Sequence, residues 1–266
     1  MKKISFLLII FTLFSFVGYS QSNIEGFVYE LSYKLDVTNP EEQKIEQMIL
    51  MTNGRESVFK GFNNFILDTL ASYHEKIGTD PQVFFGSPLP VKPSTFRYQI
   101  HKQGKAIEVF DYFAFDGYVY TLLENEKPIW EIVNEHQTIG ELKVQKAITT
   151  YAGRNYTAWF AESIPYNEGP FVFSGLPGLI VRISDSEEHY LFELVSNIKL
   201  TNGTVVPNLS RKQIKVTRDQ FIKLRLDYHK NPLQKLEMSG NQTVLDSNAK
   251  SRITTNKGKN INFIEK

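Results

Sequence analysis

The chain has 266 residues, with 30 basic and 29 acidic side chains and no cysteine. Near-neutral charge excludes a global nucleic-acid footprint or a steering field for acidic substrates, and the missing thiols exclude disulfides, thiolate metal sites and cysteine catalysis. Aromatics make up 13% of the chain, with 20 Phe and 13 Tyr, which suits β-sheet faces and equally the lining of an apolar cavity.

Lys2 and Lys3 precede an apolar run from Ile4 to Val17, and Gly18-Tyr19-Ser20 offers small residues for cleavage. The pattern predicts a secretory signal peptide over 1–20; the run is shorter than the ~20 residues a spanning helix needs. The absence of a cysteine at the junction excludes a lipoprotein anchor. Residues 21–238 read as a single β-rich domain and 239–266 as a polar basic tail, a mobile extension.

In "IEGFVYELSYKLDV" (Ile24 to Val37), Phe27, Tyr29, Leu31, Tyr33 and Leu35 share one face, the period of a long strand. "KIEQMILMTN" and "RESVFK" flank Asn53-Gly54 and read as a hairpin with a type I′ turn. From Phe62 to Ile77 the pattern changes: Phe62, Phe65, Ile66, Leu70 and Tyr73 recur at three- and four-residue spacings, predicting an amphipathic helix. A proline-rich loop follows from Pro81 to Pro93.

Strand signals then return in series: "TFRYQIH", "AIEVFDYF", "GYVYTLL", "IWEIVNE", "KVQKAITTY", "RNYTAWFA", "LIVRIS" and "HYLFELVSNI". Short turns at Lys102-Gln103-Gly104, Asp116-Gly117, Ala152-Gly153 and Asp185-Ser186-Glu187-Glu188 imply an antiparallel meander. Thr217 and Gln220 form a capping box for a helix near 218–230, ended by Asn231-Pro232. The fold class is therefore mainly β (α+β): a curved antiparallel meander sheet or half-barrel with a few packing helices.

Chemical motifs are sparse. His74, His101, His136, His189 and His229 form no HExxH or HxH, and no GxSxG, P-loop or GxGxxG is present. The cluster Asp185-Ser186-Glu187-Glu188-His189 reads as a solvated hairpin turn, with a weak hard-cation site as the alternative. In "YAGRNYTAWF" (Tyr151 to Phe160), Arg154 either stacks on an aromatic or clamps a carboxylate, or caps the turn while Trp159 packs in the core. In "FSGLPGLIVRIS", Pro177 removes an amide and a strand follows, so a phosphate loop is excluded. Pro177-Gly178 fits the centre of a type II turn, and Gly175 offers a close backbone approach.

The stretch "SGLPGLIVRISDSEEHYLFELVSNIK" resembles the signature of the GLPGLI family of secreted Bacteroidota proteins, whose hexapeptide stands at Gly175 to Ile180. Upstream, "WEIVNEHQTIGELKVQKAITTYAGRNYTAWFAESIPYNEGPFVFSGLPGLI" resembles the family's run through a G-R-x-[YW]-x-A-W-[FY] segment and a G-P-x-x-F-x-G-L-P-G-L-I corner. Val144 stands where members often carry cysteine. The resemblance implies an exported protein, in the periplasm, outer-membrane-associated or extracellular, and an outer-membrane transporter component as partner; it implies no particular activity. The expected architecture is also similar to the lipoprotein-carrier superfold.

These readings lead to a non-enzymatic envelope protein that binds an apolar or peptide-like ligand, or a partner, with Tyr151, Arg154, Trp159 and Phe173 at the rim of the site. No cofactor, metal, nucleic acid or further transmembrane segment is expected. Two alternatives stand beside it: a secreted hydrolase using Asp185, Glu188 or His189, and an accessory protein docking on a transporter through a sheet edge or the tail.

Overall fold

The structure, a computed structural model, describes residues 24–36, 39, 42–80, 86–113, 116–200, 212–233 and 262–265. The expected signal peptide lies outside these residues, as does the tail apart from its last few positions.

The strands in chain order are β1 (Ile24–Lys34), β2 (Gln43–Thr52), β3 (Glu56–Gly61), β4 (Gln99–Gln103), β5 (Ala106–Phe113), β6 (Asp116–Thr121), β7 (Glu131–Ile139), β8 (Leu142–Tyr151), β9 (Arg154–Ala161), β10 (Leu179–Asp185), β11 (Tyr190–Leu200) and β12 (Gln213–Lys215). Two helices, α1 (Phe62–Lys76) and α2 (Arg218–Lys230), accompany them. All strands join one 12-stranded sheet in the order β12-β6-β5-β4-β3-β2-β1-β11-β10-β9-β8-β7. Two antiparallel meanders, β1 to β6 and β7 to β11, are thus spliced through the β1–β11 pair. The link from β6 to β7 therefore runs between opposite wings of the sheet, and β12 adds to β6 in parallel.

The alternation of β1 sets the two faces. Phe27, Tyr29, Leu31 and Tyr33 enter the main core with Met48, Leu50, Phe59, Ile100, Val109, Tyr120, Phe160 and Phe192. Burying each such large apolar side chain stabilises by about 1.5–3 kcal/mol. A smaller cluster of Ile24, Ile49, Met51 and Val58 lies apart, and Phe62 and Phe65 of α1 pack on it. Helix α2 starts at the expected capping box, with Thr217 accepting from the Gln220 amide and the Gln220 side chain returning to the Thr217 amide, and buries Phe221 in the main core.

Three turn assignments need correction. At Asn53-Gly54-Arg55-Glu56 only Gly54 has positive φ, at 82°, as a type II′ turn requires at its first central residue; the Asn53 side chain accepts from the Arg55 and Glu56 amides instead. Asp116-Gly117 begins β6, because Gly117 pairs with Tyr112 and Gln213 on both sides. Around Pro177 the Gly178 amide bonds Leu176 O at 2.8 Å, a three-residue γ-type turn in place of a type II turn.

Curvature follows from one carboxylate. Tyr120 on β6 and Tyr151 on β8 both donate to Glu265. Those strands stand second and eleventh in the order, which in a flat sheet separates them by about 43 Å at ~4.8 Å per step. The sheet must curl so that its wings face each other across the core.

Candidate functional site

Three segments fill the inside of the curl: the connection 162–178 between β9 and β10, helix α2, and residues 262–265. Phe171, Phe173 and Leu176 of the connection are fully buried. Phe171 meets Tyr98 at 5.3 Å and Tyr151 at 6.3 Å, centroid to centroid, so it too touches both wings. Lys102 on β4 anchors the connection, donating to Gly169 O at 2.8 Å, Phe173 O at 3.1 Å and the Glu168 carboxylate at 3.1 Å. Burial lowers the Lys102 pKa, and Glu168 opposes that shift. Trp130 Nε1 donates to Ser174 O and the Tyr29 hydroxyl to Ile180 O.

The hexapeptide Gly175–Ile180 supplies the corner of this connection. A Cβ at Gly178 (φ 150°) meets Ala161 O at 2.4 Å, so the close backbone approach expected at Gly175 occurs here. Gly175 has open space around it and is needed for its φ of 93°, with its amide on Asn167 O.

Arg154 begins β9 because Ala152 and Gly153 form a tight turn, both with positive φ, at 50° and 74°. Its guanidinium is buried. It donates to Asp185 at 2.9 Å and to Phe263 O at 3.0 Å, donates to the Asn262 side chain, and lies 5.2 Å over the Tyr190 ring. Asp185 also accepts from the Tyr190 amide at 2.7 Å. The carboxylate clamp expected of Arg154 is therefore present, inside the protein.

Glu265 forms the second polar centre. It accepts from the Tyr120 and Tyr151 hydroxyls, and Arg218 Nε lies 3.3 Å away. Burial, and next the Glu265 charge, raise both phenol pKa values well above 10, so both stay protonated donors. Burial lowers the Arg218 pKa, but Glu265 outweighs it and the net shift is upward.

A cavity of about 350 Å³ adjoins these centres, lined in part by Tyr98, Asp111, Arg225, His229, Phe263 and Ile264. Arg225 lies 4.5 Å from the Tyr98 ring centre and 4.3 Å from that of Phe263, and 3.4 Å from the Asp111 carboxylate. Burial pushes Asp111 up to about 7, Arg225 down to about 9 and His229 down to about 4. The cavity wall thus mixes aromatic faces with charge, rather than being purely apolar.

Of the expected site residues, Tyr151, Arg154 and Phe173 converge, with Tyr151 and Phe173 5.7 Å apart. They lie in the interior instead of at a rim, because the curl and the 262–265 segment cover them. Trp159 does not join them. The alternation of β9 turns it away from Tyr156 and Phe160, half-buried, with Lys146 5.8 Å from its ring. Asp185, Glu187 and His189 bring ligand atoms within 4.8 Å of one another. Asp185 is already held by Arg154, while Glu188 is exposed at φ 52° in the turn. None of Asp185, Glu188 and His189 lines the cavity.

Sequence reasoning missed Tyr120, Tyr190, Arg218, Arg225 and the 262–265 segment. The tail was expected to be a polar, mobile extension; residues 262–265 are instead buried in the core. The available signal was "INFIE", with Ile261, Phe263 and Ile264 as an apolar group in an otherwise polar stretch.

A family model described as "Protein of unknown function (Porph_ging)" matches residues 152–182, which run from the Ala152-Gly153 turn into β10. No curated protein matches the chain. Two crystal structures of PNGF-II, in P21 and C2 space groups, align with TM-scores of 0.49 and 0.49 at 12% and 10% identity, over 78% of this chain. The chain spans about a third of that protein, 34% and 33% in the two crystals. A LolA superfamily protein from Nitrosomonas europaea aligns with a TM-score of 0.28 at 7% identity, over 67% of this chain and 86% of its own.

Proposed function

We propose that this chain is an exported envelope protein of the GLPGLI type that binds a ligand or partner inside the curl of its sheet without catalysing a reaction. The observation that carries the reading is the cavity of about 350 Å³ beside Arg225. Concave sites with aromatic walls and a few placed polar groups are the usual geometry for small or peptide-like ligands. Tyr98 and Phe263 offer apolar faces, and Arg225 with Asp111 offers a hydrogen-bonding end. Among the described residues no helix is long and apolar enough to cross a membrane.

Protein purified from its native envelope, extracted under denaturing conditions and analysed by mass spectrometry, tests this. The reading expects a stoichiometric apolar or peptide-like species that is lost in Arg225→Ala. A folded protein that carries nothing and gains no thermal stability from envelope extracts overturns it.

A second reading, docking on an outer-membrane transporter, draws on the approach to edge strand β7. Ile129 is 78% exposed and Ile132 48%. Loss of transporter co-purification in Ile129→Lys/Ile132→Lys supports that reading; unchanged co-purification removes it.

A further inference from the structure

Residues 262–265 are held as a bound peptide is held. They belong to no helix or strand, yet all four are buried. Their partners come from separate elements. The Asn262 amide donates to Leu35 O at 2.7 Å and its side chain to Lys34 O at 2.9 Å, beside β1. Arg154 of β9 holds the Asn262 side chain and Phe263 O, and Tyr190 of β11 donates to Asn262 O. Arg225 and His229 of α2 cover the Phe263 ring at 4.3 and 4.8 Å. Tyr120, Tyr151 and Arg218 converge on Glu265.

The surrounding site is a receptor with donors in excess. Arg154 faces Asp185, Arg225 faces Asp111 and Arg218 faces Glu265, so without Glu265 the Arg218 guanidinium loses its carboxylate partner. Even with the segment in place, Arg154 Nε, Arg218 Nη2 and the Tyr156 hydroxyl are buried without a hydrogen-bond partner among the described residues. A buried donor left unpaired forfeits its hydration without a replacement bond. A ligand carboxylate bidentate on the Nε–Nη2 edge of the Arg218 guanidinium would satisfy one of these donors.

We propose that this inner cleft is a peptide-binding site whose resident occupant is the chain's own 262–265 segment. In trans it takes a partner-protein segment of the same chemistry: Asn, an aromatic, an aliphatic residue and Glu in succession. The Asn side chain is read by Arg154 and the Lys34 carbonyl, the aromatic by Arg225, and the carboxylate by the two phenols and Arg218, while Leu35 O accepts from the backbone amide of the first residue. This rests on the reading of the curl as a ligand site and adds its specificity and its internal competitor.

The test uses the full chain with a specific protease site placed between 240 and 255. The chain is cut after folding, and a fluorescent peptide of residues 261–266 is added. The cut protein exchanges its segment for the labelled peptide, while the uncut protein binds it at least tenfold more weakly, because tethering holds the resident at an effective concentration on the order of mM. A peptide with the Glu265→Gln change binds the cut protein at least tenfold more weakly.

Four results overturn the proposal. One is a cut segment that never exchanges. Another is near-UV circular dichroism showing that the protein unfolds once the segment leaves. The third is equal binding of the Gln peptide. A dimer that free peptide disperses would assign the occupant to a second copy and also overturn it. Failure to find an envelope-derived ligand leaves this assay untouched, so the two readings fail separately.

Discussion

Replacing Arg154 with methionine keeps most of the side-chain stem and removes the charge. Asp185 is then left 2% exposed with the Tyr190 amide as its remaining hydrogen-bond donor. Removing one member of a buried ion pair costs about 3–5 kcal/mol, chiefly because the other charge stays uncompensated. For a domain of this size each kcal/mol lowers Tm by about 2–4 °C, so Arg154→Met should melt roughly 6–20 °C below the parent. Asp185→Asn in the Arg154→Met background should recover part of the loss, because it removes the stranded charge. A double-mutant cycle in urea measures this coupling. Additive effects of the two changes, or a loss below about 1 kcal/mol for Arg154→Met, would refute the buried hub.

Other outcomes follow from the same contacts. Gly178→Ala should destabilise by about 3 kcal/mol or more in urea titrations, since its Cβ must displace backbone, whereas Gly175→Ala should cost only the ~1–2 kcal/mol of left-handed backbone; equal costs would contradict the placement of the close approach. His229 should titrate near 4 by NMR. Its folded pKa lies below its unfolded one, so its contribution to stability is intact above about 6.5 and lost as pH falls toward 4. Asp111 acts in the opposite sense. Raised to about 7, it contributes stability below its unfolded pKa that disappears as pH rises through about 7, so Asp111→Asn should flatten that fall in pH-dependent melting. Trp159→Ala should leave exchange of the 261–266 peptide unchanged, because its ring faces away from the cleft.

What could be read from the sequence was set by local periodicity. The alternation of Phe27, Tyr29, Leu31 and Tyr33, the helical spacing of Phe62 to Tyr73 and the Thr217–Gln220 capping box each act within one element; the strand, the helix and the cap all form, though of the helix stripe only Phe62 and Phe65 pack on a core cluster and Tyr73 is exposed. The splice of β1 between β2 and β11 depends on pairing across more than 150 residues, as Tyr29↔Leu194 shows, and local pattern holds no record of it. The same limit applied to the site. Tyr151, Arg154 and Phe173 stood within one recognisable stretch. Tyr120, Arg218 and Glu265 reach Tyr151 only through the curl, and no spacing along the chain announces that meeting. Short features depended on neighbours too: Gly178 is needed because Ala161 passes behind it, a fact of packing and not of turn chemistry.

The most direct measurement is hydrogen exchange, followed by mass spectrometry, over residues 262–265 of the folded chain cut between 240 and 255, with and without a saturating, mass-labelled 261–266 peptide. The Asn262 amide, bonded to Leu35 O, and its neighbours should exchange slowly, and added peptide should accelerate them by displacing the segment. Fast exchange from the outset would show that the segment does not occupy the curl. Slow exchange that peptide leaves unchanged would show that it is a fixed part of the core and not the occupant of a binding site.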